Sequence, residues 1–144
     1  MNLKQPTPNI PMSLTANQKY TLSALHQANG PLTAYELLER LRKQGFKAPT
    51  QVYRALDKLI EQGLVHRLET LNAYVTCSYP SHCKLNFTAF AICDICGNAD
   101  EFAVNPVGLN HWVKNHGFIL ESSVIEIRGQ CIKCAYQGKT KTED

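Results

Sequence analysis

The sequence predicts an α+β protein in two parts: a helical module ending in a β-hairpin, then a small α/β module closed by four cysteines. Three observations carry this. Between Thr15 and Gly63, apolar residues recur at helical spacing in three runs, each with its own start and stop signals. From Leu64 to Cys77 the pattern becomes strand-like, with a polar turn in the middle. Beyond it stand two matched pairs, Cys93-Asp94-Ile95-Cys96 and Cys131-Ile132-Lys133-Cys134.

After a proline-bearing lead, Thr15-Ala16-Asn17-Gln18 reads as a capping box. The helix it opens carries Leu22, Leu25 and Ala28 on one face, and Asn29-Gly30-Pro31 stops it. Thr33-Ala34-Tyr35-Glu36 is a second capping box, for a helix with Leu37, Leu38 and Leu41 inward and an end near Gln44-Gly45. The third helix starts around Pro49, a residue tolerated in a first turn. Val52, Leu56, Leu59 and Ile60 form its buried stripe, and Gly63 ends it. Residues 64–68 and 73–77 follow as two strands, with Glu69 to Asn72 as their turn. Three short helices and a hairpin make a winged helix-turn-helix layout, whose third helix reads the DNA major groove. Opposite that helix's apolar stripe stand Thr50, Arg54, Asp57 and Lys58, flanked by Tyr53. Arginine can pair with guanine bidentately, and threonine or tyrosine can touch a thymine methyl or a phosphate. Thr50, Tyr53, Arg54 and Lys58 are the candidate DNA contacts.

In the second half, residues 87–92 read as a strand into the first cysteine pair, and residues 101–104 as the next strand. Pro106 to His116 reads as a helix with Val107, Trp112 and Val113 apolar, ended by Gly117. Alternation from Ile119 to Ile127 predicts a long strand into Cys131. The tail from Gln137 is polar and reads as disordered. The expected organisation is a DNA-binding domain over 1–79, a hinge over 80–84 and a dimerisation and zinc domain over 85–144. A module this small needs help to hold a core, which a metal and a partner subunit can supply.

Composition narrows the class. The 144-residue chain is 44% hydrophobic, as globular proteins are. It has no apolar run of about 18 residues and no signal-peptide pattern at its N-terminus. Six cysteines without an export signal point to a reducing cytoplasm. Residues 1–77 hold nine Lys or Arg against five Asp or Glu, and residues 78–144 hold six against seven. The basic excess therefore falls on the predicted DNA-reading half.

A CxxC pair puts two sulfurs on one tight turn, and two such turns make the all-thiolate set that zinc prefers. The pairs lie 34 residues apart, so Cys93, Cys96, Cys131 and Cys134 would staple the second module across its ends as a structural zinc site. Two disulfides or a redox CxxC are the competing readings, and a reducing cytoplasm disfavours the first. A second set of ligand-type residues gathers at the junction: His66 and Cys77 in the hairpin, His82 in the linker, Glu101 in the second module. One Cys, two His and one carboxylate suit zinc, whereas more oxygens would favour iron or manganese. Such a site would bind metal in only one relative orientation of the two modules, which makes it a switch.

These residues resemble the ferric uptake regulator family, and most closely its zinc-sensing branch. The matching stretches include Thr33-Ala34-Tyr35-Glu36-Leu37-Leu38, Pro49-Thr50-Gln51-Val52-Tyr53-Arg54-Ala55-Leu56 and Glu61-Gln62-Gly63-Leu64-Val65-His66. Asn72-Ala73-Tyr74-Val75-Thr76-Cys77, Ile92-Cys93-Asp94-Ile95-Cys96-Gly97, Gly117-Phe118, Val124-Ile125-Glu126 and the Cys131/Cys134 pair continue the match in order. The resemblance implies a homodimeric, metal-activated repressor that binds an operator in double-stranded DNA, with about two zinc ions per monomer. It also implies a sensing site on His66, Cys77 and Glu101. A linker histidine would be the fourth ligand; His82 is available, offset from the family pattern, with Cys83 beside it. The family's Leu-Thr-Pro-Gln-Arg opening is here Leu14-Thr15-Ala16-Asn17-Gln18-Lys19. The linker lacks the His-rich motif of the iron sensors, which favours zinc.

The leading expectation is a zinc-responsive repressor of zinc-uptake genes. The alternatives are a sibling sensor of iron, manganese or peroxide, and a constitutive DNA-binding protein holding structural zinc only. No enzyme is expected. Cys77 or Cys83 could be drawn beside His66 or His82, but no oxyanion or substrate motif accompanies them.

Overall fold

A computed structural model describes residues 13–78, 88–121 and 123–139. The first three helices are α1 (Ala16–Gln27), α2 (Ala34–Leu41) and α3 (Pro49–Glu61), with a 3-10 turn at Arg42–Gln44 after α2. Both expected capping boxes form. The Thr15 hydroxyl accepts from the Gln18 amide and the Gln18 side chain accepts from the Thr15 amide; Thr33 and Glu36 repeat the arrangement. Each box satisfies two amides that a helix start otherwise leaves without partners. At the start of α3 the Gln51 side chain accepts from the amides of Lys47 and Ala48. Gly63, at φ +73°, turns the chain out of α3 in the left-handed region that a side chain disfavours.

The hairpin is β1 (Val65–Leu68) and β2 (Ala73–Thr76), antiparallel with Val65 opposite Thr76 and Leu68 opposite Ala73. Leu32 adds a backbone bridge to Tyr74, with bonds of 3.1 and 2.8 Å, and so ties the hairpin to the start of α2. The helices close on one core in which Leu37, Val52, Leu56, Leu59 and Val65 are fully buried. Ile60, expected in the buried stripe of α3, lies on the exposed flank, and Ala55 is buried instead. One residue past Leu59 turns the side chain about 100° around the helix, off the core-facing arc. Ala28 caps α1 rather than extending it.

The second sheet has the order β4-β3-β5: β3 (Thr88–Cys93) pairs antiparallel with β4 (Ala99–Phe102) and parallel with β5 (Val124–Gly129). Helix α4 (Val107–Asn115) makes the crossover to β5, and α5 (Ile132–Lys139) follows. Three expectations are corrected here. The strand expected at 101–104 spans Ala99–Phe102, because the tight turn after Cys93 sets Ile92 opposite Ala99. The strand expected from Ile119 begins only at Val124, where Thr88 of β3 supplies the first partner; Ile119 to Glu121 lie outside any ladder. Residues 137–139, expected to be disordered, belong to α5.

The hairpin packs on this second sheet. Leu68, Phe90 and Ile92 form a small buried cluster with Leu71, Val75 and Ala99 against it. Among the described residues after Cys93, none is buried. Val107, Leu109, Trp112, Phe118, Ile119, Val124 and Ile127 are exposed instead. Among the described residues of this half, the buried side chains are confined to β3.

Candidate functional site

The first cluster sits where β3 and β5 run out. Cys93 ends β3, and the chain turns back through Gly97, whose amide donates to the Cys93 carbonyl at 2.9 Å with φ at +74°. That left-handed position is the physical reason for glycine there. The Asp94 amide donates to the Gly129 carbonyl at 2.8 Å, which holds the two cysteine turns together, and Arg128 pairs with Asp94 at 2.9 Å. The ligand atoms of Cys93, Cys96, Cys131 and Cys134 all lie within 4.8 Å of one another. The Cys96 and Cys131 sulfurs are 3.8 Å apart. A zinc tetrahedron with about 2.3 Å bonds has edges of about 3.8 Å, so the donor set fits that ion. The Cys131 amide donates to the Cys93 sulfur at 3.3 Å, and this bond, with others from the same turn, holds the Cys93 thiol down at about 6. Cys134, bonded to the Cys131 thiol and crowded by its neighbours, is pushed up to about 12. Four thiols packed this closely favour a cation that removes their protons.

The second cluster joins the hairpin to the sheet. His66 faces Val75 in the β1–β2 register, and Cys77 lies two residues past Val75, so both side chains share one face. Glu101 comes from β4. The ligand atoms of His66, Cys77 and Glu101 all lie within 4.8 Å of one another. Glu101 accepts from the Ser78 amide at 2.7 Å and lies 3.9 Å from the Cys77 sulfur. His66 stands edge-on to Phe90. Burial pushes the His66 pKa below its usual 6.5, and the nearby Glu101 carboxylate opposes that in part. A neutral imidazole is the form that binds metal. Together, the S, N and O donors of this cluster suit zinc. His82 and Cys83, the two candidates for a fourth ligand, lie outside the described residues.

On α3, Thr50, Tyr53, Arg54 and Lys58 are all exposed, on the side away from the core. Lys58 bonds Glu61 at 3.1 Å along the helix. A contact that residue-type reasoning missed is Glu126. Its carboxylate accepts from the amides of Glu69 and Thr70, both at 3.0 Å. Its partners are backbone groups far away in the chain, which no residue-type pattern marks.

A winged helix-turn-helix module, a small α/β module with a four-cysteine metal site and a second ligand cluster at their junction define a metal-binding winged-helix protein. No protein-family model matches the chain. It is 38% identical over 127 residues to the zinc uptake regulation protein of Escherichia coli (strain K12), covering 84% of this chain and 72% of that one. The crystal structure of holo XcZur matches at a TM-score of 0.74 and 38% identity, covering 85% of this chain and 86% of that one. A zinc uptake regulator complexed with zinc and DNA matches at 0.78 and 34%, covering 87% and 85%. The chain belongs to the zinc uptake regulation protein family.

Proposed function

We propose that this protein is a zinc-responsive transcriptional repressor that binds operator DNA as a metal-loaded homodimer and controls zinc-uptake genes. The observation that carries the reading is the cluster of His66, Cys77 and Glu101, because its ligands come from two modules. It is supported by family membership and by the relative solved with zinc and DNA. Bound at that cluster, zinc would supply a bridge between wing and sheet. His66 and Cys77 hold the wing side of the cluster, and Glu101 holds the sheet side. With wing and sheet held at one angle, the two α3 helices of a dimer take one spacing, and half-site spacing is what such dimers read. Arg54 and Tyr53 then contact bases, while Thr50 and Lys58 serve the backbone.

The dimer reading is supported by the exposed apolar side chains of α4, the segment after it and β5. Trp112, Phe118 and Ile127 would be covered by the same face of a second copy. Cys93, Cys96, Cys131 and Cys134 hold a structural zinc in this reading, giving about two zinc ions per monomer. The domain limits follow: 1–79 reads DNA, 80–84 is the hinge, and 85–144 dimerises. No described helix is long and apolar enough to cross a membrane.

The test is operator binding measured across buffered zinc under reducing conditions, together with metal content per monomer. Two zinc ions and operator binding that rises with zinc support the reading. One zinc ion and zinc-independent binding would identify a constitutive DNA-binding protein instead, and a steeper response to iron or manganese would identify a sibling sensor.

A further inference from the structure

Three residues stand in one row across the second sheet. Phe90 of β3 is opposite Glu101 of β4 on one side and opposite Glu126 of β5 on the other. Residues opposite each other across a ladder share a face, so all three side chains rise toward the hairpin. Phe90 forms the floor, packed with Leu68 and edge-on to His66. The carboxylates grip the hairpin at its two ends. Glu101 takes the Ser78 amide, just past the end of β2. Glu126 takes two successive amides, Glu69 and Thr70, at the turn. Turn amides have no ladder partner, and two in succession form a small anion-binding nest. The half-buried carboxylate there makes two charge-assisted bonds, which are stronger than neutral ones.

We infer that Glu126 is a positioning residue: it clasps the wing turn to the second module independently of metal, and so sets how much zinc the switch requires. Its consequence for zinc rests on the proposed zinc-switch reading; the clasp itself does not. The end held by Glu101 belongs to the metal cluster, while the end held by Glu126 lies at the opposite end of the hairpin. Every bond at the Glu126 end lowers the free energy of the closed arrangement before metal arrives. A ligand's apparent affinity scales with the fraction of protein already in the competent state. Two charge-assisted bonds at a half-exposed site, lost together, correspond to about a tenfold fall in that fraction.

The experiment compares the full chain with Glu126→Ala and Glu126→Gln, reduced and with the four-cysteine zinc retained. Hydrogen exchange at the Glu69 and Thr70 amides is measured without added metal, and operator binding is titrated with buffered zinc. In Glu126→Ala, exchange at the turn should speed up about tenfold, with dimer and structural zinc unchanged. The zinc midpoint should rise about tenfold, and saturating zinc should restore wild-type operator affinity. Glu126→Gln keeps an acceptor oxygen and should shift both readings less. Unchanged exchange at the turn would overturn the clasp. Operator affinity reduced equally at every zinc concentration, with an unmoved midpoint, would overturn the positioning role in favour of a purely structural one. Should wild-type binding itself ignore zinc, the zinc-switch reading fails with the consequence for zinc drawn from it, and the exchange rates still decide the clasp.

Discussion

Substituting Glu101 separates a metal ligand from a structural acceptor. Its carboxylate makes two kinds of contact. It accepts from the Ser78 amide at 2.7 Å, and it lies with His66 and Cys77 inside a 4.8 Å ligand cluster. Glutamine keeps a neutral acceptor for the amide but is a poor metal ligand. Alanine removes both functions. The amide bond at this part-exposed site contributes about 1 kcal/mol, roughly a fivefold effect. Losing an outer partner of a ligand typically costs 10–100-fold in metal affinity, so losing a ligand itself should cost at least about 100-fold, or roughly 2.8 kcal/mol. The assay is anisotropy of a labelled operator across buffered zinc, under reducing conditions. Both Glu101→Gln and Glu101→Ala should move the zinc midpoint by at least about 100-fold while leaving the four-cysteine zinc in place. A Glu101→Gln midpoint within about fivefold of wild type would refute the argument: Glu101 would then be an acceptor for Ser78 and no ligand.

Three further outcomes are expected. Arg54→Ala should cost about 1–3 kcal/mol on the operator and much less on random DNA; equal loss on both, seen by competition binding, would make Arg54 a phosphate contact. Cys93→Ser or Cys131→Ser should lose one zinc and the dimer together, because Cys93 ends β3, the strand that carries all the buried residues described in its module; sedimentation and metal analysis check this, and a dimeric, fully zinc-loaded variant would count against it. The third concerns pH. His66 in the metal-free fold has a pKa lowered below 6.5 by burial. On acidification the unfolded chain therefore takes up that proton first, and the stability contributed by a neutral His66 is lost as pH falls below about 6.5. Urea midpoints at several pH values should fall less steeply for His66→Gln than for wild type.

The first module was legible because its signals are local. Thr15 with Gln18, and Thr33 with Glu36, are capping pairs three residues apart, and both form as read. The stripe of Val52, Leu56 and Leu59 is written in the helical period itself, and only Ile60, at the edge of the arc, fell on the wrong side. The four cysteines were legible for a similar reason: each CxxC spacing builds its own turn, and thiolates have few other uses in that pattern. His66 and Cys77 could be brought together by hairpin pairing alone, with no tertiary information.

What a single chain could not specify were the partners set by long-range pairing. The ends of β4 and β5 depend on which residues of β3 stand opposite, and β3 had to be placed first. Joining Glu101 to the wing required two modules to dock, and the docking rests on Leu68, Phe90 and Ile92, a cluster no local period announces. Glu126 is the plainest case. Its partners are the amides of Glu69 and Thr70, and backbone amides carry no residue identity for a sequence to reveal. The chain alone determined its elements and its metal-binding chemistry, because these follow from spacing along the backbone. The grip of the sheet on the wing was decided only by the tertiary fold, because ladder register is a property of pairs of strands.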